Sequence, residues 1–510
     1  MTRRFDPKDD RVVVVIGSGA GGGTLSNELA QKGIDVVCLE AGGRLTFADI
    51  VNDPPLMNQR FGWHDERRGV AVSLCKTVGG TTMRWTGTSP RLLTHEFRAR
   101  TTYGAIDDTT LIDWPITLAE IEPYYDLAET KMGVSGTHGL PPLAENSHFK
   151  VIKAGARRIG YRDITTAHIA INSVSYDGRP ACQQIGFCNS GCAIGAKWST
   201  LYTEIPKAEQ TRHFELRTNA MAIRISHDAH GKVTGVVYVG EDGVLHEQRA
   251  RAVCVAGNVV ETTRLLLLSE STLFPDGLAN SSGHLGRNYM RHMSQNVCAV
   301  MPGPVHQHRG VTAAGSIRDE HRHDPGRGFV GGYILETRGL APERFSRFAG
   351  WGTKAQRWME NFSFSASLGM CGEDPPQEKN RITLHPTDKD ASGLPIPVLE
   401  YSLHPNTKAM MRHGVAQARE IFSSLGATDI RYDTNRLGGG CHNMGVARMS
   451  ADPREGVTNR WGQAHDVPNL FISDGSVFST SGAANPTLTI VALAIRQADY
   501  IADRMRRGEL

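Results

Sequence analysis

The chain has 510 residues, 40% of them hydrophobic, which is enough for a large core and for two or more domains. Its net charge of +3 is nearly neutral and His64 to Arg68 is a mixed-sign run, so neither nucleic acid nor an anionic membrane is suggested as a partner. Nine cysteines at irregular spacing argue against a disulfide framework, and the 55 glycines fall in short clusters suited to tight turns against a ligand.

The N-terminus passes from charged residues straight into a short apolar run, with no signal-peptide core or cleavage site. The apolar stretch LTIVALAI at 488–495 is too short to span a bilayer. A cytoplasmic location is the expectation. Val12 to Ile16 reads as a buried parallel strand, Leu25, Leu29 and Ala30 give the following helix one apolar face, and Asp35 to Leu39 reads as a second strand. Gly17, Gly19 and Gly22 occupy the G-x-G-x-x-G positions of the strand-to-helix turn, where bare backbone lets a pyrophosphate reach the helix N-terminus. Glu40 ends the second strand, 23 residues after Gly17, and is placed to accept hydrogen bonds from an adenosine ribose. Strand, turn, helix and acid together predict an adenine dinucleotide, and the fingerprint alone leaves NAD and FAD both open.

Residues 75–92 form a second glycine-centred cluster, rich in hydroxyls and backbone donors. A helix is expected at 118–132, with Leu118, Ile121, Tyr124, Tyr125 and Leu127 on one side. Residues 214–269 read as several strands, a glycine turn and a helix from about Val259, and 300–434 as an antiparallel sheet with Pro- and Gly-rich loops. A helix at 405–424 returns the chain to the stretch RLGGGCHNMG. The predicted class is α/β, in two discontinuous domains. A nucleotide-binding domain takes 9–100, 181–299 and 435–510, and a substrate-binding domain takes 101–180 and 300–434.

Four segments, read together, carry a resemblance. They are the N-terminal fingerprint, VGGTTMRWTGTSPR at 78–91, VAGNVVETTRLLL at 255–267, and CHNMGVARMS with NLFISDGSVFSTSGAANPTLTIVALA between 441 and 494. In this order they resemble the glucose-methanol-choline (GMC) family of FAD oxidoreductases, and EAGGR after the second strand is similar to flavoproteins rather than to nicotinamide dehydrogenases. Within the family the segments look like the pyranose oxidase and bacterial glycoside 3-oxidase branch. The resemblance implies a Rossmann-like FAD domain joined to a substrate domain on an antiparallel sheet. It also implies oxidation of a secondary ring hydroxyl of a sugar or glycoside, at carbon 3 or 2, with O2 as acceptor and peroxide as product. The alternative is a sugar dehydrogenase using a quinone, cytochrome or iron–sulfur relay. Where pyranose oxidases carry a flavin-linked histidine before Trp-Thr, this chain has Arg84 before Trp85 and Thr86, so the FAD is expected to be non-covalent.

His442 could be a proton-transfer group, a metal ligand or a turn histidine, and its local sequence alone favours the turn; the resemblance reverses this and makes it the general base, with Asn485 holding the substrate hydroxyl. Asn485 also fits a helix N-cap before Pro486, the expected first residue of the last helix. Gly79, Gly80, Thr81, Arg84, Trp85, Thr86, Ala222, Ala256 and Gly257 are expected at the cofactor, with Asp474, Gly475, Pro486 and Thr487 toward its isoalloxazine and ribityl phosphate. Gln295 reads either as a sugar ligand or as a surface strand residue. Cys182, Cys188 and Cys192, spaced C-x5-C-x3-C, suit either an iron–sulfur cluster or inert burial over the cofactor. No His/Asp/Glu cluster has the sequence spacing of a zinc site.

Overall fold

A computed structural model describes residues 5–62, 68–69, 72, 74–432 and 442–510. Its centre is a five-stranded parallel sheet in the order Leu470–Ile472, Ala252–Val255, Val13–Ile16, Val36–Leu39 and Phe214–Arg217. The three central strands are buried along their whole length, as strands covered on both faces must be, and so read as continuous apolar runs. The first helix, Ala20–Gln31, packs on the last, Thr487–Arg506, and on Glu204–Gln210. A three-stranded antiparallel sheet, Met221–His227, Val233–Val239 and Leu245–Arg249, follows the strand at 214.

The second large sheet is antiparallel, ordered Asp429–Tyr432, Asn296–Val300, Ser365–Gly372, Tyr333–Thr337, Ser316–Ile317 and Ile164–Thr165. Helix Pro405–Ser424 packs on this sheet and on Ser147–Arg158. The α/β class and both sheets thus match the expectation, as does the helix at 405–424.

Two segments depart from the expected division. Asn296–Val300 is already a strand of the antiparallel sheet, so the chain crosses to it before residue 299. Helix Leu118–Met132 lies on the last helix rather than on the substrate sheet, because Ile121, Tyr125, Ala128 and Met132 form its buried stripe and Tyr125 hydrogen-bonds Thr489 at 2.8 Å. Leu127, expected on that stripe, points outward. A short ladder then joins the two halves of the molecule: Met290–Arg291 pairs antiparallel with Asn443–Met444, Arg291 opposite Asn443.

Candidate functional site

A cavity of about 800 Å3 runs from the glycine turn to the antiparallel sheet. Its floor at the nucleotide end is the turn after Val13–Ile16. Gly17 has φ +97°, and a Cβ there would sit 2.4 Å from the Ala256 carbonyl oxygen. Gly22 lies against the Gly17 carbonyl, where a Cβ would come within 2.0 Å, so it seats the helix on the strand and does not line the cavity. Gly19 does line it, and caps the first helix with no side-chain acceptor, leaving that N-terminus open to an anion. Glu40 borders the same space; its carboxylate accepts from the Ser18 amide at 3.1 Å, the Ser18 hydroxyl at 2.6 Å and the Gly42 amide at 2.9 Å. Burial raises its pKa, against the pull of those three hydrogen bonds.

The segment 79–86 folds over the glycine turn. The Gly79 amide donates to Ser18 Oγ at 3.1 Å, behind the cavity wall, and Gly80, Thr81, Arg84, Trp85 and Thr86 line the cavity itself. Trp85 is held by its indole N–H on the Trp198 carbonyl at 2.9 Å. Lys197, fully buried, donates to the carbonyls of Met83, Trp85 and Cys188 at 3.1, 2.7 and 2.7 Å, and burial lowers its pKa to about 8. Ala222, Ala256, Gly257, Asp474, Gly475, Pro486 and Thr487 also border the cavity. Asp474 accepts from Thr262 Oγ1 at 2.6 Å and the Ser476 amide at 2.8 Å, and burial raises its pKa.

At the far end the fold brings His442 and Asn485 to one cavity, although 43 positions separate them in the chain. Asn485 does not cap the last helix: Pro486 stands at the cap, with φ −74°, and accepts from the Ile490 amide at 2.9 Å. The Asn485 Oδ1 is buried without a protein hydrogen-bond partner. Gln295 is 4% exposed and borders the same end, so it is not a surface residue. Ser294, Asn296, Thr312 and Arg338 line the cavity as well. His442 Nδ1 lies 2.9 Å from His292 Nδ1. Burial lowers the His442 pKa well below 6.5, and positive charge on Arg338, or on His292 once it is protonated, adds to this, so the imidazole is neutral near pH 7. The glycines Gly438 to Gly440 beside it lie outside the described residues.

His292 and Cys371 are site neighbours that sequence reasoning did not single out. Their donor atoms and that of His442 lie within 4.8 Å of one another, as do those of His95, Glu96 and Glu373, and of Asp126, Glu129 and His138. The expectation that no metal-type cluster exists rested on spacing along the chain; the first two of these groups join separate segments, and the third joins a helix to the loop after it. His292 follows directly from the ladder: one step beyond Arg291–Asn443 it falls opposite His442. The only sequence signal was its place two residues after Met290 in GRNYMRHMSQ. The sulfurs of Cys182, Cys188 and Cys192 are not gathered within 4.8 Å. Cys182 and Cys188 pack against Leu143, Phe149 and Ile169, burial pushes the Cys182 thiol up to about 11, and the Lys197 amide donates to Cys192 Sγ at 3.5 Å.

Residues 109–294 and 376–494 match sequence profiles described as GMC oxidoreductase. The 2-methyl-1,2-propanediol dehydrogenase of Mycolicibacterium austroafricanum is 35% identical over 550 aligned positions, spanning 99% of this chain and 97% of that protein. Paromamine 6'-oxidase of Streptomyces fradiae is 30% identical, spanning 97% of this chain and 92% of its own. Among solved structures, pyridoxine 4-oxidase from Mesorbium loti superposes with a TM-score of 0.66 at 15% identity, over 96% of this chain and 99% of that one, and so shares the fold. Neither relative is named a pyranose oxidase, so the similarity reaches the family and not that branch. With a glycine turn at the helix N-terminus, matching profiles over both halves and relatives of this length and identity, the chain belongs to the glucose-methanol-choline (GMC) oxidoreductase family.

Proposed function

We propose that this oxidoreductase converts a secondary ring hydroxyl of a sugar or glycoside, at carbon 3 or 2 of a pyranoside, to the ketone and passes the electrons to O2. The family's cofactor is FAD, and the residues present fit it: an open helix N-terminus at Gly19, an acid at Glu40, a cavity of about 800 Å3 and an orphaned Asn485 Oδ1 where a bound group is needed. Gly17, Gly19, Glu40, Gly80, Thr81, Ala222, Ala256 and Gly257 would hold the nucleotide side. Arg84, Trp85, Thr86, Asp474, Gly475, Pro486 and Thr487 would hold the flavin side. Bound there, the flavin supplies a two-electron acceptor for the carbinol hydride. His442, half-buried and neutral, takes the hydroxyl proton on its ring nitrogen. Asn485 orients the hydroxyl oxygen with its side-chain amide. The two electrons and two protons taken from the carbinol reduce one O2 to one H2O2.

The observation that carries the sugar assignment is the polar lining of the cavity that His442 borders. Ser294, Gln295, Asn296, Thr312 and Arg338 offer donors and acceptors to several hydroxyls at once. Gln295 and Thr312 are themselves buried, and a polar lining of this kind suits a ligand with several hydroxyls better than an apolar alcohol. A second reading, a dehydrogenase that gives its electrons to another acceptor, is favoured by the name of the 35%-identical relative. Anaerobic mixing of the yellow holoenzyme with a panel of pyranoses, glycosides and aliphatic diols, followed by flavin absorbance and then by a peroxide assay in air, tests both. Bleaching by glycosides and peroxide on aeration are expected. Bleaching by diols alone overturns the sugar assignment, and turnover with a quinone but no peroxide favours the second reading.

A further inference from the structure

His442 can act as a base only through a ring nitrogen that carries no proton, and its surroundings decide which nitrogen that is. His292 Nε2 lies 3.1 Å from the Ser481 carbonyl oxygen, which only accepts, so Nε2 carries the hydrogen. His292 is fully buried, and burial lowers its pKa to about 4, so near pH 7 the ring is neutral and Nδ1 is a bare lone pair. A second lone pair 2.9 Å away would repel it. The His442 Nδ1 at that distance must therefore be an N–H donating to His292. The remaining nitrogen of His442, Nε2, is left unprotonated in a ring that borders the cavity.

We infer that His292 is a positioning residue: it fixes His442 in the Nδ1–H tautomer, directs the Nε2 lone pair to the substrate hydroxyl, and stabilises the imidazolium that forms when the proton arrives. This rests on reading His442 as the base. The relay is anchored at each step. Antiparallel pairing of Met290–Arg291 with Asn443–Met444 sets the two rings opposite each other. Ser481 is fixed in turn, because its hydroxyl accepts from the Asp374 amide at 2.9 Å and donates to the Asp374 carbonyl at 3.1 Å. Next to it, the Glu96 carboxylate takes the Ala483 amide. On proton transfer the His442 Nδ1–H to His292 bond becomes charge-assisted, and such bonds are roughly twice as strong as neutral ones. Cys371 Sγ lies 2.9 Å from His292 Nδ1 and 3.8 Å from His442 Nδ1, so the thiol shares the same lone pair.

The charged and titratable groups facing this pair are Cys371 and Arg338 toward His442, and Cys371, Glu96 and His321 toward His292. In H292A these remain while the acceptor is lost. The expected result is a fall in kcat of about 10- to 100-fold, KM within about threefold, unchanged flavin content, and an acid limb of the kcat–pH profile moved to lower pH. The limb moves because the cation has lost its acceptor; a merely structural role leaves it in place. H292N, whose amide oxygen can accept from Nδ1–H, should recover part of kcat. Independently of turnover, 15N-histidine NMR of the wild-type holoenzyme, assigned by difference with H442N, should show His442 protonated on Nδ1 and bare on Nε2.

An Nε2–H tautomer for His442, or an unmoved limb with kcat within threefold in both His292 variants, overturns the inference. So does a stoichiometric metal in the purified holoenzyme that disappears in C371A, because a metal on these nitrogens excludes the Nδ1 proton. Full activity in H442A is a different failure, that of the base assignment itself.

Discussion

At Gly19 an added methyl group meets no protein atom closer than 3.9 Å, the Cα of Gly80, whereas at Gly22 it comes within 2.0 Å of the Gly17 carbonyl. Two glycines of one motif therefore have separable tasks. Gly19 is small for a ligand, and Gly22 is small so that the helix seats on its strand. G19A should fold with a melting temperature near wild type and emerge with flavin affinity reduced more than about tenfold, since one methyl blocks the approach of a pyrophosphate. G22A should lose about 1–3 kcal/mol or more of stability through overpacking. Thermal unfolding beside the protein-to-flavin absorbance ratio separates the two. Equal flavin loss in both, with equal melting temperatures, would contradict the division.

Between elements, Lys197 ties the 79–86 segment to the cysteine loop through three carbonyls, with its ammonium fully buried. K197M removes the donor and strands those three acceptors, so we expect a loss of about 3 kcal/mol or more in urea unfolding of the holoenzyme, with flavin lost early in the transition. A loss under about 1 kcal/mol would mean the segment is held by other contacts. Nothing in GAKWST marks this lysine, because its acceptors are backbone atoms up to 114 positions away. Local pattern was legible where period and cap agreed: Leu118–Met132 matches its expected bounds, with Thr117 accepting from the Glu120 amide at its start. The same signals existed for Ser147–Arg158, where Asn146 accepts from the Phe149 amide and Phe149, Ile152 and Ala156 share a face, yet the surrounding mixed composition hid them. His442 and Asn485 could be named from sequence because each sits in a resembling segment. His292 could not, because its role exists only through a cross-strand register between residues 150 positions apart.

For the whole molecule, buried imidazoles link stability to pH. His148 lies between the helix Ser147–Arg158 and the strand Ser365–Gly372, where its Nε2 accepts from the Ser367 amide at 3.1 Å. Burial lowers its pKa from 6.5 to about 4, so between those values the unfolded chain binds a proton that the folded chain refuses. Stability from this group is complete above pH 6.5 and is lost as pH falls toward 4, by roughly 1.4 kcal/mol per pH unit at most. His292 acts with the same sign over the same window, and Asp374, pushed up to about 7 by burial, acts with the opposite sign. The total slope is thus a balance, and a single variant is needed to isolate one member. H148Q keeps an acceptor for the Ser367 amide and cannot titrate. Relative to wild type it should gain stability as pH falls from 6.5 to 4.5, reaching about 2–3 kcal/mol. Holoenzyme unfolding at stepped pH measures that difference directly, and parallel curves for the two proteins would mean that His148 takes up its proton in the folded state without cost.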